Sequence, residues 1–269
     1  MGLTIQDIRF ERIKKELKKP FVTSLQTVTE RESIIVTVES DRGIKAYGEC
    51  VAFSTPWYTE ETVEGCAFVM ARVLKPLLLG KELSGPAEVQ AIFAVVKGNS
   101  MAKAAIEMAV WDLFAKHDGL PLWQYIGGTQ QEIRAGIVVA AKPEELLHEI
   151  EAAAAKGYSR VKIKISPALD VDILKEAVGR YPDILFFADA NGGFSEQTMN
   201  RLKDFDDIGF TLIEQPFAEH EWELHAKAKR MMKTPICLDE SIKSLHDVER
   251  MIEMQAGDII ALKMGRLGG

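Results

Sequence analysis

The 269-residue chain carries 33 Lys and Arg against 40 Asp and Glu, a formal charge of −7 at pH 7 with the signs interspersed. Nothing in it resembles the basic block of a nucleic-acid binder or a polybasic membrane patch, and its apolar runs fall far short of the roughly 20 residues that span a bilayer. Met1-Gly2-Leu3-Thr4 lacks a secretion signal, and Cys50, Cys66 and Cys237 form no C-x-x-C pair, so free thiols in a reducing cytoplasm are expected.

The first 50 residues read as strands. Ile5, Ile8 and Phe10 begin an apolar pattern, residues 33–40 are rich in β-branched side chains, and Asp41-Arg42-Gly43 supplies a hairpin turn before Ile44–Glu49. Two stretches read as loops, Lys19–Thr27 and Phe53–Tyr58. Their aromatic side chains either pack against neighbours or close over a ligand. Helical periodicity follows from Thr59, as cap, to Gly80, with Pro76 kinking the last turn. A shorter helix is expected over 84–97, then one capped by Ser100 that runs to Lys116 and ends at Gly119 and Pro121. Strands followed by helices suggest a separate α+β unit, residues 1–125.

In residues 126–269 apolar runs alternate with helices. The runs are 136–140, 160–165, 184–189, 210–215, 235–239 and 258–263, and the helices 143–156, 170–180, 195–207, 221–232 and 244–254. Runs such as Ile184-Leu185-Phe186-Phe187-Ala188 are apolar throughout, as parallel strands covered on both faces must be. Five of the runs carry an ionisable residue at or next to their C-terminal end: Lys164, Asp189, Glu214, Asp239 and Lys263, at steps of 25, 25, 25 and 24. A charged group recurring at successive strand ends predicts an α/β protein with a TIM-type (β/α) barrel rather than an open sheet with one switch point. Six of the eight strands of such a barrel are present, and the chain is expected to continue beyond Gly269.

Strand ends of a parallel barrel converge on one rim. Asp189, Glu214 and Asp239 together there would repel one another unless a hard cation joined them, and Mg²⁺, with Mn²⁺ as a substitute, suits oxygen ligands. No histidine lies at a strand end, which argues against zinc. Lys162 and Lys164 share one face of their strand. A second ammonium and a cation nearby would favour a neutral Lys164, a workable base, with Lys263 opposite. Base, cation and second lysine are equipment for removing a proton beside the carboxylate of a small-molecule substrate.

With Lys162-Ile163-Lys164, Asp189-Ala190-Asn191, Glu214-Gln215-Pro216, Asp239-Glu240-Ser241 and Lys263–Gly269 in view, the chain resembles the enolase superfamily, specifically its muconate-lactonising subgroup. Lysine bases with Mg²⁺ are an established design of that superfamily. Within the subgroup it is most like the o-succinylbenzoate synthases of menaquinone biosynthesis and the N-acylamino acid racemases. The resemblance implies an α+β cap domain before the barrel, Lys164 and Lys263 as catalytic lysines, and Asp189, Glu214 and Asp239 as metal ligands. It also implies that Lys162, Asn191, Glu240 and Arg266 support them, and that loop residues Phe21, Thr23, Ser24, Phe53 and Trp57 meet the substrate. Lysines at both catalytic positions set the chain apart from mandelate-racemase-like members. Three functions stay open: the dehydrating lyase, expected first; a racemase or dipeptide epimerase; and an inactive fragment or binding protein. Whether identical subunits assemble is also open.

Overall fold

The structure, a computed structural model, describes residues 2–22 and 26–269. The chain divides into two compact units, Met1–Gln130 with Lys263–Gly269, and Gln131–Leu262.

In the first unit β1 (Leu3–Val22) and β2 (Thr27–Ser40) form a long antiparallel pair, continued by β3 (Lys45–Cys50), with the short β4 (Glu82–Leu83) on the other edge of β1. Of the stretch expected as a loop, Lys19–Thr27, the described residues 19–22 and Thr27 are strand. Pairing with β2 resumes at Phe21↔Val28 after an irregularity between Glu16 and Phe21, the interval that holds Pro20, which has no N–H to donate. Cross-strand bonding with a partner 7 residues away outweighs the local turn signals.

Helix α1 (Val63–Val69) is capped by Thr62, whose side chain accepts from the Gly65 N–H, and not by Thr59. It passes through a π-turn (Met70–Leu74) into α2 (Lys75–Leu78). Pro76 cannot donate to the preceding turn, and the wider π-turn absorbs that missing bond. Helix α3 is only Glu88–Phe93. Helix α4 (Ser100–His117) begins at Asn99, in the left-handed region at φ 58°, and Ser100 does not cap it. Its free N–H groups at Met101 and Ala102 donate instead to the Glu61 carboxylate, at 2.8 and 3.2 Å. A distant acid thus does the work of a cap, and its charge suits the helix N-terminus. A short α5 (Leu122–Tyr125) follows.

The sheet's inner face, with Ile34, Val36 and Val38 fully or almost fully buried, packs on the small residues Ala102, Ala105 and Ala109 of α4. Gly48 of β3 makes that approach so close that a Cβ there would strike the Ala105 carbonyl oxygen and stand 2.9 Å from the Ala109 nitrogen.

In the second unit, six parallel strands among the described residues alternate with helices. They are β5 (Ile137–Val139), β6 (Arg160–Lys164), β7 (Leu185–Asp189), β8 (Leu212–Glu214), β9 (Ile236–Leu238) and β10 (Ile259–Ile260). Between them lie α6 (Pro143–Ala155), α7 (Val171–Arg180), α8 (Lys203–Asp206), α9 (Trp222–Met231) and α10 (Leu245–Met254). Their spatial order is their chain order, with no reversal, which is the barrel pattern and not the doubly wound one. Most of the expected elements are trimmed at their ends, and two change more than that. The helix over 195–207 is a 3₁₀ turn (Met199–Leu202) leading into α8, because Ser195 and Thr198 close a local turn first. The last run keeps only two residues in β10, so Lys263 stands outside the strand, at the start of α11 (Met264–Leu267) and in the first unit.

Gly48→Ala should lower the unfolding free energy by about 1–3 kcal/mol, since backbone on both sides must move. A fall in the urea midpoint at unchanged slope would show it, and an unchanged midpoint would contradict this packing.

Candidate active site

Strand register assembles the acids. Lys164 pairs with Asp189 across β6–β7 and Asp189 with Glu214 across β7–β8, so these three occupy one row. Glu214 pairs with Cys237, and Asp239 follows two residues on, hence toward the same face. All three carboxylates are buried, Asp189 and Asp239 almost completely. On β6, Val161 and Ile163 are buried while the alternating Lys162 and Lys164 are half-buried, so a period of two sends both lysines to the face that carries the acids.

The Lys162 ammonium bridges two of them, at 2.8 Å from Asp189 Oδ2 and 2.7 Å from Glu214 Oε1. Burial works against its charge, but Asp189 and then Glu214 outweigh that and hold Lys162 above its ordinary pKa. Lys164 donates to the same Asp189 oxygen at 2.8 Å and also to Asn191 Oδ1. Burial and then the Asp189 charge push the Glu214 carboxyl upward; Lys162 opposes this and Asp239 adds to it. Burial, followed by Glu214 and Asp239, also pushes the Cys237 thiol up to about 12, which leaves it inert as a nucleophile.

Three buried carboxylates on neighbouring strand ends are the hard oxygen donors that Mg²⁺ or Mn²⁺ prefers, so the donor chemistry fits a divalent cation. Among the described residues no group of three or more His, Cys, Asp or Glu side chains stands at metal-binding spacing. Lys162 already engages one oxygen of Asp189 and one of Glu214.

Asn191, in the left-handed region at φ 43°, donates its N–H to Asp189 Oδ1 at 3.0 Å and its Nδ2 to Glu240 Oε1 at 3.2 Å. In the first unit, the Tyr58 phenol oxygen accepts from Lys263 Nζ at 2.7 Å and from Arg266 Nη1 at 2.9 Å. Arg266 is buried. Phe53, Trp57 and Tyr58 pack on one another, with ring centroids 4.5–6.1 Å apart, and the Arg31 guanidinium lies 4.3 Å over Phe53. Phe21 is exposed near the end of β1, while Thr23 and Ser24 lie outside the described residues.

Sequence reasoning passed over Tyr58 and Gln215. Tyr58 adjoins Trp57 in a segment already read as site-forming, and that was the available signal. Gln215 sits inside the Glu214-Gln215-Pro216 motif but carries no charge. Behind the row, His225 is fully buried, with Nδ1 2.9 Å from the Glu221 carbonyl oxygen and Nε2 accepting from the Phe217 N–H at 3.3 Å. Burial drives it to about 4 despite the Glu221 bond.

Residues 7–127 match the family described as Mandelate racemase / muconate lactonizing enzyme, N-terminal domain, and residues 145–269 match Enolase C-terminal domain-like. The chain belongs to the enolase superfamily. An o-succinylbenzoate synthase from Geobacillus kaustophilus is 42% identical over 271 residues, covering 100% of this chain and 72% of that protein. An N-succinylamino acid racemase from Thermus thermophilus is 36% identical over 269 residues, covering 99% and 73%. A crystal structure of an enolase-superfamily member from Listeria innocua superposes with a TM-score of 0.94 at 35% identity, covering 99% of this chain and 72% of that one. Superfamily structures with bound Mg include a dipeptide epimerase from Cytophaga hutchinsonii, complexed with Mg and the dipeptide D-Ala-L-Val. It has a TM-score of 0.87 at 27% identity and covers 100% and 74%.

His225 binds a proton only near pH 4 when folded but near its ordinary 6.5 when unfolded. Between these values the unfolded state holds more protons, so stability falls as pH drops from 6.5 to 4, by about 3 kcal/mol from this group. His225→Gln should remove that part of the slope in urea titrations across the window; an unchanged slope would count against a neutral buried His225.

Proposed function

We propose that this enolase-superfamily protein is an o-succinylbenzoate synthase, a cytoplasmic dehydrating lyase of menaquinone biosynthesis. The observation that carries the reading is the row Lys164–Asp189–Glu214, with Asp239 beyond it, in a chain 42% identical to a synthase over its whole length. The row sets an amine beside buried acids, the grouping that proton abstraction next to a carboxylate requires.

As the general base, Lys164 takes the proton alpha to the ring carboxylate of the hydroxy-succinyl-cyclohexadiene substrate. The C–H electron pair moves into the ring system, the C–O bond breaks, and the same proton leaves with the departing hydroxyl as water. The ring becomes aromatic. Asp189, Glu214 and Asp239 would hold a divalent cation, Mg²⁺ or Mn²⁺, which supplies positive charge beside the substrate carboxylate where negative charge gathers. Lys162 offsets the charge of Asp189 and Glu214, and Asn191 and Glu240 orient the groups around them. Lys263 stays protonated and stabilises the anion, with Arg266 and Tyr58 fixing it. Phe21, Thr23, Ser24, Phe53 and Trp57 select the substrate.

The likeness to an N-succinylamino acid racemase at 36% identity, together with two lysines, favours a second activity in which Lys164 and Lys263 exchange protons with one carbon.

Purified protein with Mg²⁺ should dehydrate the substrate, lose activity in EDTA and regain it with Mg²⁺ or Mn²⁺. Lys164→Ala should lower kcat by about 10²–10⁴-fold. Appreciable metal-dependent turnover by that variant sinks the assignment, as does Mg²⁺ binding without any turnover by the parent. Solvent deuterium entering the alpha carbon of an N-succinylamino acid, with each lysine variant blocking one enantiomer, would establish the racemase activity.

A further inference from the structure

Gln215 follows Glu214 directly, is almost completely buried, and holds a left-handed backbone at φ 41°, a conformation that strains a residue with a side chain. Its surroundings explain why the strain is tolerated. The Gln215 N–H donates to the Cys237 carbonyl on β9 at 2.8 Å, and its own carbonyl accepts from the Gly192 N–H, in the turn after Asp189, at 2.8 Å. The side chain reaches onward. Oε1 accepts from the Asp239 N–H at 2.9 Å and the Ser241 N–H at 3.3 Å. Nε2 donates to Ser241 Oγ at 2.7 Å and to the Phe217 carbonyl at 3.0 Å, and lies 3.4 Å from His225 Nε2.

The amide orientation follows from the partners. Two backbone N–H groups demand an acceptor on one side, and a carbonyl demands a donor on the other, so a flipped amide would lose several bonds at once. His225 reinforces this: its Nδ1 faces a carbonyl and carries the proton, which leaves Nε2 as an acceptor toward Phe217 and Gln215. One residue therefore ties together the chain segments that follow β7, β8 and β9, the strands that present Asp189, Glu214 and Asp239. Neither Lys162 nor Lys164 bonds to it, so this support is separate from the ion pairs on the row's open side.

We propose that Gln215 is the positioning residue of the three carboxylates: its amide sets the placement of Asp239 relative to Glu214, and with it the affinity for the divalent cation. The inference rests on reading those acids as metal ligands. Residues that orient ligands from behind typically change metal affinity by about 10–100-fold when removed, and that range is expected for Gln215→Ala.

The test is Mg²⁺ titration by calorimetry on the full chain, with circular dichroism and thermal midpoints in EDTA as controls for folding. Gln215→Ala should raise the Mg²⁺ dissociation constant by about 10–100-fold. Ser241→Ala, which removes one acceptor of the amide, should shift it the same way by less, and serves as the deciding variant if Gln215→Ala does not fold. Leu202→Ala, at the one fully buried side chain of the 3₁₀ turn, should lower the thermal midpoint and leave the constant alone. A folded Gln215→Ala or Ser241→Ala with parental affinity overturns the proposal, as does an equal loss in Leu202→Ala. A parent that binds no Mg²⁺ would instead remove the ligand reading, and the role of Gln215 toward a metal with it.

Discussion

The cost of burying three carboxylates close together governs the second unit. Like charges withdrawn from water raise one another's energy steeply, and only opposite charge and directed hydrogen bonds offset it. The protein meets that cost from two sides. Lys162 and Lys164 bring ammonium groups onto Asp189 and Glu214. Backbone and amide groups of Asn191 and Gln215 fix the positions of Asp189 and Asp239 from the loops. A site assembled this way is a prepared environment for positive charge, which is the property that proton removal beside a carboxylate needs.

The parallel sheet makes the arrangement possible. Each strand ends at the same edge, and the register aligns Lys164, Asp189 and Glu214 without any loop having to reach. Placing the acids at strand ends and their orienting groups on the adjoining turns separates two tasks. The strands determine which residues meet, and the turns determine how their oxygens point. The first unit uses a comparable economy, with Glu61 completing α4 and Tyr58 joining Lys263 to Arg266 through a single oxygen.

Much of this was legible in the chain because it depends on local periodicity. A 25-residue recurrence of charge after apolar runs is visible without coordinates, and so is the shared face of Lys162 and Lys164. What escaped depended on distant partners. The Lys19–Thr27 stretch has turn-like residues, yet pairing with β2 draws Phe21 and Val22 into a strand. Ser100 has the chemistry of a cap, but the carboxylate that does the capping is 39 residues away at Glu61. Residues 195–207 have helical composition, while the Ser195–Thr198 turn delays the helix until α8. Lys263 ends the last apolar run but lies beyond β10, because the strand stops at Ile260.

By itself, the sequence determined the strand-and-helix alternation, the candidate acids and lysines, and the family, since each is carried by residue type and spacing along one chain. Tertiary structure alone decided that Lys162 bridges Asp189 and Glu214, that Tyr58 holds Lys263 and Arg266, and that Gln215 binds the turns behind the acids. A hydrogen bond between residues dozens of positions apart leaves no periodic trace. It exists only once the strands have set their register and brought donor and acceptor within 3 Å or so.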